Sequence, residues 1–152
     1  MKLSTKGRYG LRAMVDLASY SENEPVSITS ISDRQGISER YLEQLMAMLK
    51  KGSLVKSIRG AGGGYVLAKP AGDISVGDIL RTLEGSLEPV ECSAFQTEDG
   101  CKSADSCVTK YVWKRISESI NHTVDEIKLE QLVEESKKLN CKDNIFRGEC
   151  KN

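Results

Sequence analysis

Residues 27–67, SITSISDRQGISERYLEQLMAMLKKGSLVKSIRGAGGGYVL, decide the fold. They read as a helix, a tight turn, a second helix and a two-stranded ribbon with a glycine-rich tip. Ser27 can cap the first helix, which turns Ile28 and Ile31 inward. Gly36 supplies the turn, as glycine often does in a short helix-turn-helix link. Ser38 opens the second helix as its N-cap. Leu42, Leu45, Met46 and Leu49 then fall at i, i+3, i+4 and i+7, which makes one apolar stripe. The N-terminal half of that helix leaves Glu39, Arg40, Glu43 and Gln44 outward, all able to hydrogen-bond. In helix-turn-helix proteins the second helix presents such residues to base edges, so this face is the first candidate site. Gly52 ends the helix, and Leu54–Arg59 and Tyr65–Leu67 read as strands. Between them, Arg59, Gly60, Gly62 and their neighbours form a tip whose backbone can approach a phosphate closely. The expected fold is mainly α with a small β wing: a winged helix-turn-helix unit followed by a long dimerisation helix.

At 152 residues, 39% apolar and 29% charged, the chain can bury a real core as a single domain with an extension. No apolar run approaches the roughly 20 residues of a spanning helix. The start, MKLSTKGRYGLRAM, has no apolar signal core, so a cytoplasmic location is expected. Net charge is zero, but its distribution is uneven. Residues 1–70 hold eleven Lys and Arg against six Asp and Glu, a balance of +5; residues 71–152 hold eleven against sixteen, a balance of −5. A basic half that contains a helix-turn-helix is the footprint of a nucleic-acid binder. Chance asymmetry on a solvated surface is the plain alternative.

Outward from the central stretch, residues 2–20 give a helix starting near Ser4 or Thr5, with Leu3, Leu11, Met14, Val15, Leu17 and Ala18 in its stripe. Lys2, Lys6, Arg8 and Arg12 crowd its first part and are candidates for phosphate contact; the competing reading is a solvated basic face. Ile74-Ser75 introduces a short helix, VGDILRTLEG, that Gly85 ends. The expected organisation is a DNA-binding unit over 1–85, a cysteine-bearing loop over 86–107, helices over 108–140 and a tail over 141–152. From Cys107 onward a long helix places Val108, Tyr111, Val112, Arg115, Ile116, Ser119 and Ile120 on one face. Burial against a second copy is the simplest way to cover that face, and a homodimer suits a protein reading two half-sites. A final helix is expected over Leu129–Leu139.

Five cysteines in a cytoplasmic chain argue against a disulfide framework. Cys92, Cys101 and Cys107 are spaced by eight and five residues. Such spacing allows thiolates on one loop to converge on an iron–sulfur cluster, and equally allows free or redox-active thiols. It lacks the close pairs usual for structural zinc. His122, the only histidine, lies about four turns beyond Cys107 and is expected at the surface. Cys141 and Cys150 read as plain thiols. No nucleophile–base or paired-carboxylate motif suggests an enzyme, and one histidine leaves little acid–base machinery.

The opening KLSTKGRYGLRAMVDLA, the block ISDRQGISERYLEQL, the wing SIRGAGGGYVLAK and the segment CVTKYVW together resemble the IscR, NsrR and CymR family of bacterial winged-helix regulators, most of all its IscR members. The similarity runs collinearly from Met1 to about Leu139. It implies a dimeric repressor of genes of iron–sulfur cluster or cysteine and sulfur metabolism, with the second helix in the major groove and the wing in the minor groove of promoter DNA. By matching position, Glu43 and Gln44 would contact bases, Ser38, Glu39, Arg40 and Tyr41 would face DNA, and Arg59 would read the narrow groove. The resemblance also implies a [2Fe–2S] cluster held by Cys92, Cys101 and Cys107. Lys110 stands where IscR members carry a histidine ligand, and a protonated lysine cannot ligate iron. Arg8 stands where NsrR members would offer an acidic ligand. The fourth ligand is thus unassigned. CymR-like members imply the alternative, a regulator without a cluster that is controlled by cysteine redox state or by a partner protein.

Overall fold

Four helices among the described residues begin at a serine whose own hydroxyl caps them. The computed structural model describes residues 2–91 and 106–145, the last five as backbone only. Helix α1 spans Thr5–Tyr20, α2 Ile28–Gln35, α3 Glu39–Lys51 and α4 Val76–Glu84. The hydroxyls of Ser4, Ser27, Ser38 and Ser75 accept from the N–H groups of Lys6, Ser30, Tyr41 and Asp78. Each such cap contributes about 1 kcal/mol. At Ser75 the device is reciprocal, because Asp78 accepts in turn from the Ser75 N–H at 2.9 Å. The same contact, with Lys69 and Arg81 nearby, outweighs partial burial and holds the Asp78 carboxyl below its usual range. Gly36 closes α2 at φ 65°, a left-handed conformation that costs a glycine nothing.

The wing is an antiparallel pair, β1 Val55–Ile58 and β2 Gly64–Leu67, with Val55 opposite Leu67 and Ile58 opposite Gly64. Val26 adds a bridge on the other edge of β2, exchanging hydrogen bonds of 2.9 and 2.8 Å with Tyr65. Both strands are slightly shifted from the expected ranges. Leu54 stays out of β1 because it is buried at the helix end, where its N–H donates to Leu49 O.

Helix α5 spans Lys110–Glu126 and α6 Leu129–Ile145. Two expectations are corrected here. The long helix starts at Lys110 rather than at Cys107, since Thr109 stands before it without a side-chain cap and Val108 is 80% exposed. The last helix continues six residues past Leu139, although its apolar stripe has ended: Leu139 itself is exposed. Residues 141–145, expected in the tail, thus belong to this helix, and the rest of the expected tail lies outside the described residues. The interior carries the stripes read from sequence. Leu42, Leu45, Met46 and Leu49 of α3 are all buried, alongside Met14 and Leu17 of α1, Ile31 of α2 and Ile79 and Leu83 of α4. Leu129 and Val133 of α6 join the same core, because α6 returns onto α1. A second cluster, Val76, Leu80 and Leu87, is covered by Ile120, Val124 and Ile127 near the end of α5. Ile120 thus faces α4, whereas Tyr111, Val112 and Ile116 remain exposed.

Candidate nucleic-acid interface

The inner stripe of α3 fixes which residues it can offer outward. With Leu42, Leu45 and Met46 buried, Ser38, Glu39, Arg40, Glu43 and Gln44 are left exposed on the N-terminal half. Tyr41 differs from them. It is half-buried, its hydroxyl lies 3.0 Å from Thr5 Oγ1, and its ring meets Tyr9 edge-on with centroids 6.1 Å apart. Tyr41 therefore joins the start of α3 to the start of α1. Ser38 is likewise engaged as a cap, accepting from the Tyr41 N–H at 3.3 Å.

The basic residues of α1 divide into two groups. Lys2, Lys6 and Arg8 are exposed beside this junction, with the Arg8 guanidinium 6.0 Å from the Tyr9 ring centre. Arg12, also a phosphate candidate in the sequence, is exposed too but already donates within the chain. Its Nη2 donates to the Gln35 carbonyl at 2.6 Å and its Nε to Gln35 Oε1 at 3.3 Å. Arg12 thus fastens α1 to the helix-turn-helix corner. Beside it, Asp16 is buried and accepts from Arg34 (2.7 and 2.9 Å) and from Gln35 Nε2 (2.9 Å). The Asp16 hydrogen bond, opposed by burial and reinforced by the charge, holds Arg34 even more firmly protonated.

At the wing, Arg59, Gly60 and Gly62 are exposed at the tip. Gly60 and Gly62 sit at φ 108° and 78°, and the Gly63 N–H donates to Gly60 O at 2.9 Å to close the turn. Lys50 Nζ reaches back from α3 to Ser57 Oγ at 2.8 Å, so helix and wing are joined near their exposed ends.

One residue of this region carries no local signal in the sequence. Glu84, at the end of α4, accepts through one oxygen from the Ser4 N–H (2.8 Å), the Ser4 hydroxyl (2.7 Å) and the Gly7 N–H (3.0 Å). Burial pushes its carboxyl up, but these donors, with Lys6 nearby, prevail and hold it below the usual range. Arg81, one turn earlier, faces the other way. Its Nη2 donates to Asn121 Oδ1 at 2.9 Å and to Asp125 Oδ1 at 2.7 Å on α5. Both pairings bridge long sequence separations, which no periodicity reveals.

Of the cysteines, Cys92, Cys101 and Cys150 lie outside the described residues, as does the side chain of Cys141. Cys107 stands three residues before α5, half-buried, with Sγ 3.2 Å from Thr109 Oγ1. That hydroxyl, followed by the Lys110 and Thr109 N–H groups, favours the thiolate and lowers the thiol pKa. His122 is exposed and pairs with Glu126 at 3.2 Å on the same helix. Among the described residues no three His, Cys, Asp or Glu side chains gather as a metal site, and no helix is long and apolar enough to cross a membrane.

The model of the Rrf2 family, described as iron-dependent transcriptional regulators, matches residues 3–135. The chain belongs to the Rrf2 family. The HTH-type transcriptional regulator IscR of Xenorhabdus nematophila is 42% identical over 143 residues, which cover 94% of this chain and 85% of that protein. IscR of Klebsiella pneumoniae is 44% identical over 133 residues, 88% of this chain and 80% of the relative. Among solved structures, IscR of T. potens superposes with a TM-score of 0.73 at 46% identity, covering 91% of this chain and 90% of that one. CymR, the global cysteine regulator of B. subtilis, superposes at 0.72 with 43% identity over 88% of this chain and 97% of its own. The winged-helix fold and the regulator class expected from the sequence are both borne out. These relatives are transcriptional regulators, not enzymes. For this Rrf2 chain, the exposed first half of α3, the basic start of α1 and the wing tip make up the candidate interface.

Proposed function

We propose that this Rrf2 protein acts as a homodimeric transcription regulator that binds promoter DNA and is controlled by a [2Fe–2S] cluster. Glu43 and Gln44 would contact base edges and Ser38, Glu39 and Arg40 would lie against the groove. Lys2 and Arg8 would hold phosphates, and Arg59 with Gly60 and Gly62 would follow the minor groove. Tyr41 would act at the same face while keeping α3 against α1.

The position of Cys107 carries the regulatory part of the reading. It stands directly before α5, whose early residues Tyr111 (67% exposed) and Val112 (50%) present an uncovered apolar face, while its later residues are docked on α4. A change at Cys107 therefore lies beside the surface on which a second copy would pack. The donor chemistry fits the group, since cysteine thiolates are the ligands such clusters take. Cys92, Cys101 and Cys107 would hold it, and Lys110 would not. When bound, the cluster would supply a one-electron couple and a cross-link between the loop and the root of α5.

The test begins with anaerobic purification, a visible spectrum and counts of iron and acid-labile sulfide. About two of each per chain are expected, lost when Cys92, Cys101 or Cys107 is replaced by Ala and kept in Cys141→Ala and Cys150→Ala. On a duplex selected in vitro from a random-sequence pool, Arg59→Ala should weaken binding and Glu43→Ala should change base preference, at fixed salt. Unchanged binding in both variants overturns the interface. An iron-free protein that still binds the duplex, even after reconstitution, transfers control to thiol oxidation or to a partner protein.

A further inference from the structure

An α-helix turns about 100° per residue, so four consecutive residues face nearly every direction. The last turn of α4, Arg81-Thr82-Leu83-Glu84, is packed on several sides and its four residues grip different parts of the molecule. Arg81 bonds Asn121 and Asp125 of α5. Thr82 abuts the end of α3, where a Cβ on Gly52 would stand 2.6 Å from Thr82 Cγ2. Leu83 fills the space left by Gly10 of α1, where any Cβ would overlap it. Glu84 caps the start of α1 through Ser4 and Gly7, and a Cβ on Gly7 would stand 2.6 Å from its Oε1.

We propose that this turn couples the sensor helix α5 to the DNA-binding face, with Arg81 and Glu84 as positioning residues. The inference rests on the reading above that α5 carries the regulatory signal. Its route follows the contacts. Helix α5 packs chiefly on α4, and Arg81 adds a forked polar tie between them. One turn later, on the same rigid element, Glu84 fixes the first residues of α1. Those residues hold Lys6 and Arg8, and through Thr5 they hold Tyr41 at the start of α3. A small rotation of α4 driven from α5 would move the phosphate-facing and base-facing residues together. Arg81 and Glu84 touch no DNA in this scheme; they set where the residues that do so stand.

The experiment uses the full-length protein, cluster-loaded and cluster-free, with the in vitro selected duplex, and reads anisotropy across a salt series. Glu84→Gln is expected to weaken binding about ten-fold in both forms. The slope of log K against log salt should become shallower by about one, as for a lost phosphate contact. Arg81→Ala should leave iron per chain unchanged while the ratio of loaded to cluster-free affinity moves to near one. Arg81→Lys, which keeps the charge and loses the fork, should fall between. Lys114→Ala, in an exposed pair with Glu118 on α5, should keep the wild-type ratio. Ser4→Ala, which removes one of the three donors to Glu84, repeats the Glu84 readout in milder form should Glu84→Gln prove poorly folded. A wild-type slope and affinity in both Glu84→Gln and Ser4→Ala overturns the Glu84 assignment. A wild-type ratio in Arg81→Ala, or a lost ratio in Lys114→Ala, overturns the Arg81 assignment. If the wild-type protein itself binds equally with and without cluster, cluster control falls and Arg81 loses its role with it; the Glu84 assignment is then decided by the salt slope of the cluster-free protein.

Discussion

Replacing Asp16 by Ala tests the corner that leads into α3. The Asp16 side chain is 1% exposed and that of Arg34 31%. Truncation removes the acceptor for Arg34 Nη2 at 2.7 Å, Arg34 Nε at 2.9 Å and Gln35 Nε2 at 2.9 Å. Stranding one partner of a fully buried ion pair costs about 3–5 kcal/mol. Arg34 is not fully stranded here, because water reaches nearly a third of it and its guanidinium stacks 4.0 Å above Tyr20. The expected loss is therefore smaller, about 2–3 kcal/mol, which includes about 1 kcal/mol for the Gln35 amide. For a domain of this size that corresponds to a fall in Tm of roughly 5–10 °C. Asp16→Asn keeps the shape and one acceptor and should lose about 1 kcal/mol less. The assay is urea unfolding followed by circular dichroism at one fixed protein concentration, since self-association raises apparent stability. Duplex affinity should fall as well, because Gln35 also receives Arg12 and ends the helix that precedes α3. An Asp16→Ala protein within about 0.5 kcal/mol of wild type, the range of ordinary surface substitutions, would refute the reasoning that this pair fixes the corner.

Two further outcomes follow from single contacts. A Cβ at Gly63 would overlap the Ile58 carbonyl and stand 2.9 Å from that of Gly60, so Gly63→Ala must reshape the wing backbone. Because the tip is exposed, melting should change little while duplex affinity falls about ten-fold, a loss of about 1.4 kcal/mol; equal affinity with an unchanged melt would show that the wing does not contact DNA. Glu84 has a depressed carboxyl pKa, so its contribution is fully present above the ordinary glutamate value of about 4.3 and is lost as pH falls through the folded-state value. The stability gap between wild type and Glu84→Gln, read from urea midpoints, should therefore be constant at neutral pH and shrink in the acid range. A gap that does not change down to acid pH would place the Ser4 and Gly7 contacts outside the stabilising set.

What the sequence made legible was local. The α3 stripe, the caps at Ser27 and Ser38 and the turns at Gly36 and Gly52 each follow from a few neighbouring residues and one period. The borders that shifted lack such signals. Thr109 is of a capping type, but its hydroxyl lies against Cys107 and caps nothing in α5; the six residues after Leu139 have no stripe, yet no Gly or Pro stands in them to stop α6. The exposure and charge of the candidate interface were legible, but not the contacts its residues make within the chain. Arg12 looks like Lys6 and Arg8 in sequence, and only the corner of α2, twenty-three positions away, shows that two of its donors already serve Gln35. Tyr41 reads as one more outward residue until Thr5 and Tyr9 are placed beside it. Glu84 lies eighty positions from Ser4, and a carboxylate at a helix end carries no hint that it will cap a different helix.

These long-range contacts share a property that bears on regulation. The apolar stripes of α1, α3 and α4 meet in one core and fix the helices as a group. The residues proposed to face DNA are tied to the rest of the chain by polar links at the edge of that core: Tyr41 to Thr5, Glu84 to Ser4 and Gly7, Arg81 to Asn121 and Asp125. Each link is partly solvated, and a hydrogen bond of that kind contributes about 0.5–1.5 kcal/mol net. Coupling between two sites in a regulated protein is typically about 1–3 kcal/mol. A signal of that size can rearrange one or two such links, yet it is far too small to open a core of fully buried Leu, Ile and Met side chains, each contributing about 1.5–3 kcal/mol. The division of labour follows from those magnitudes: the core keeps the winged unit folded, and the links at its rim are the part of the structure that the ligand proposed for the root of α5 would have the energy to move.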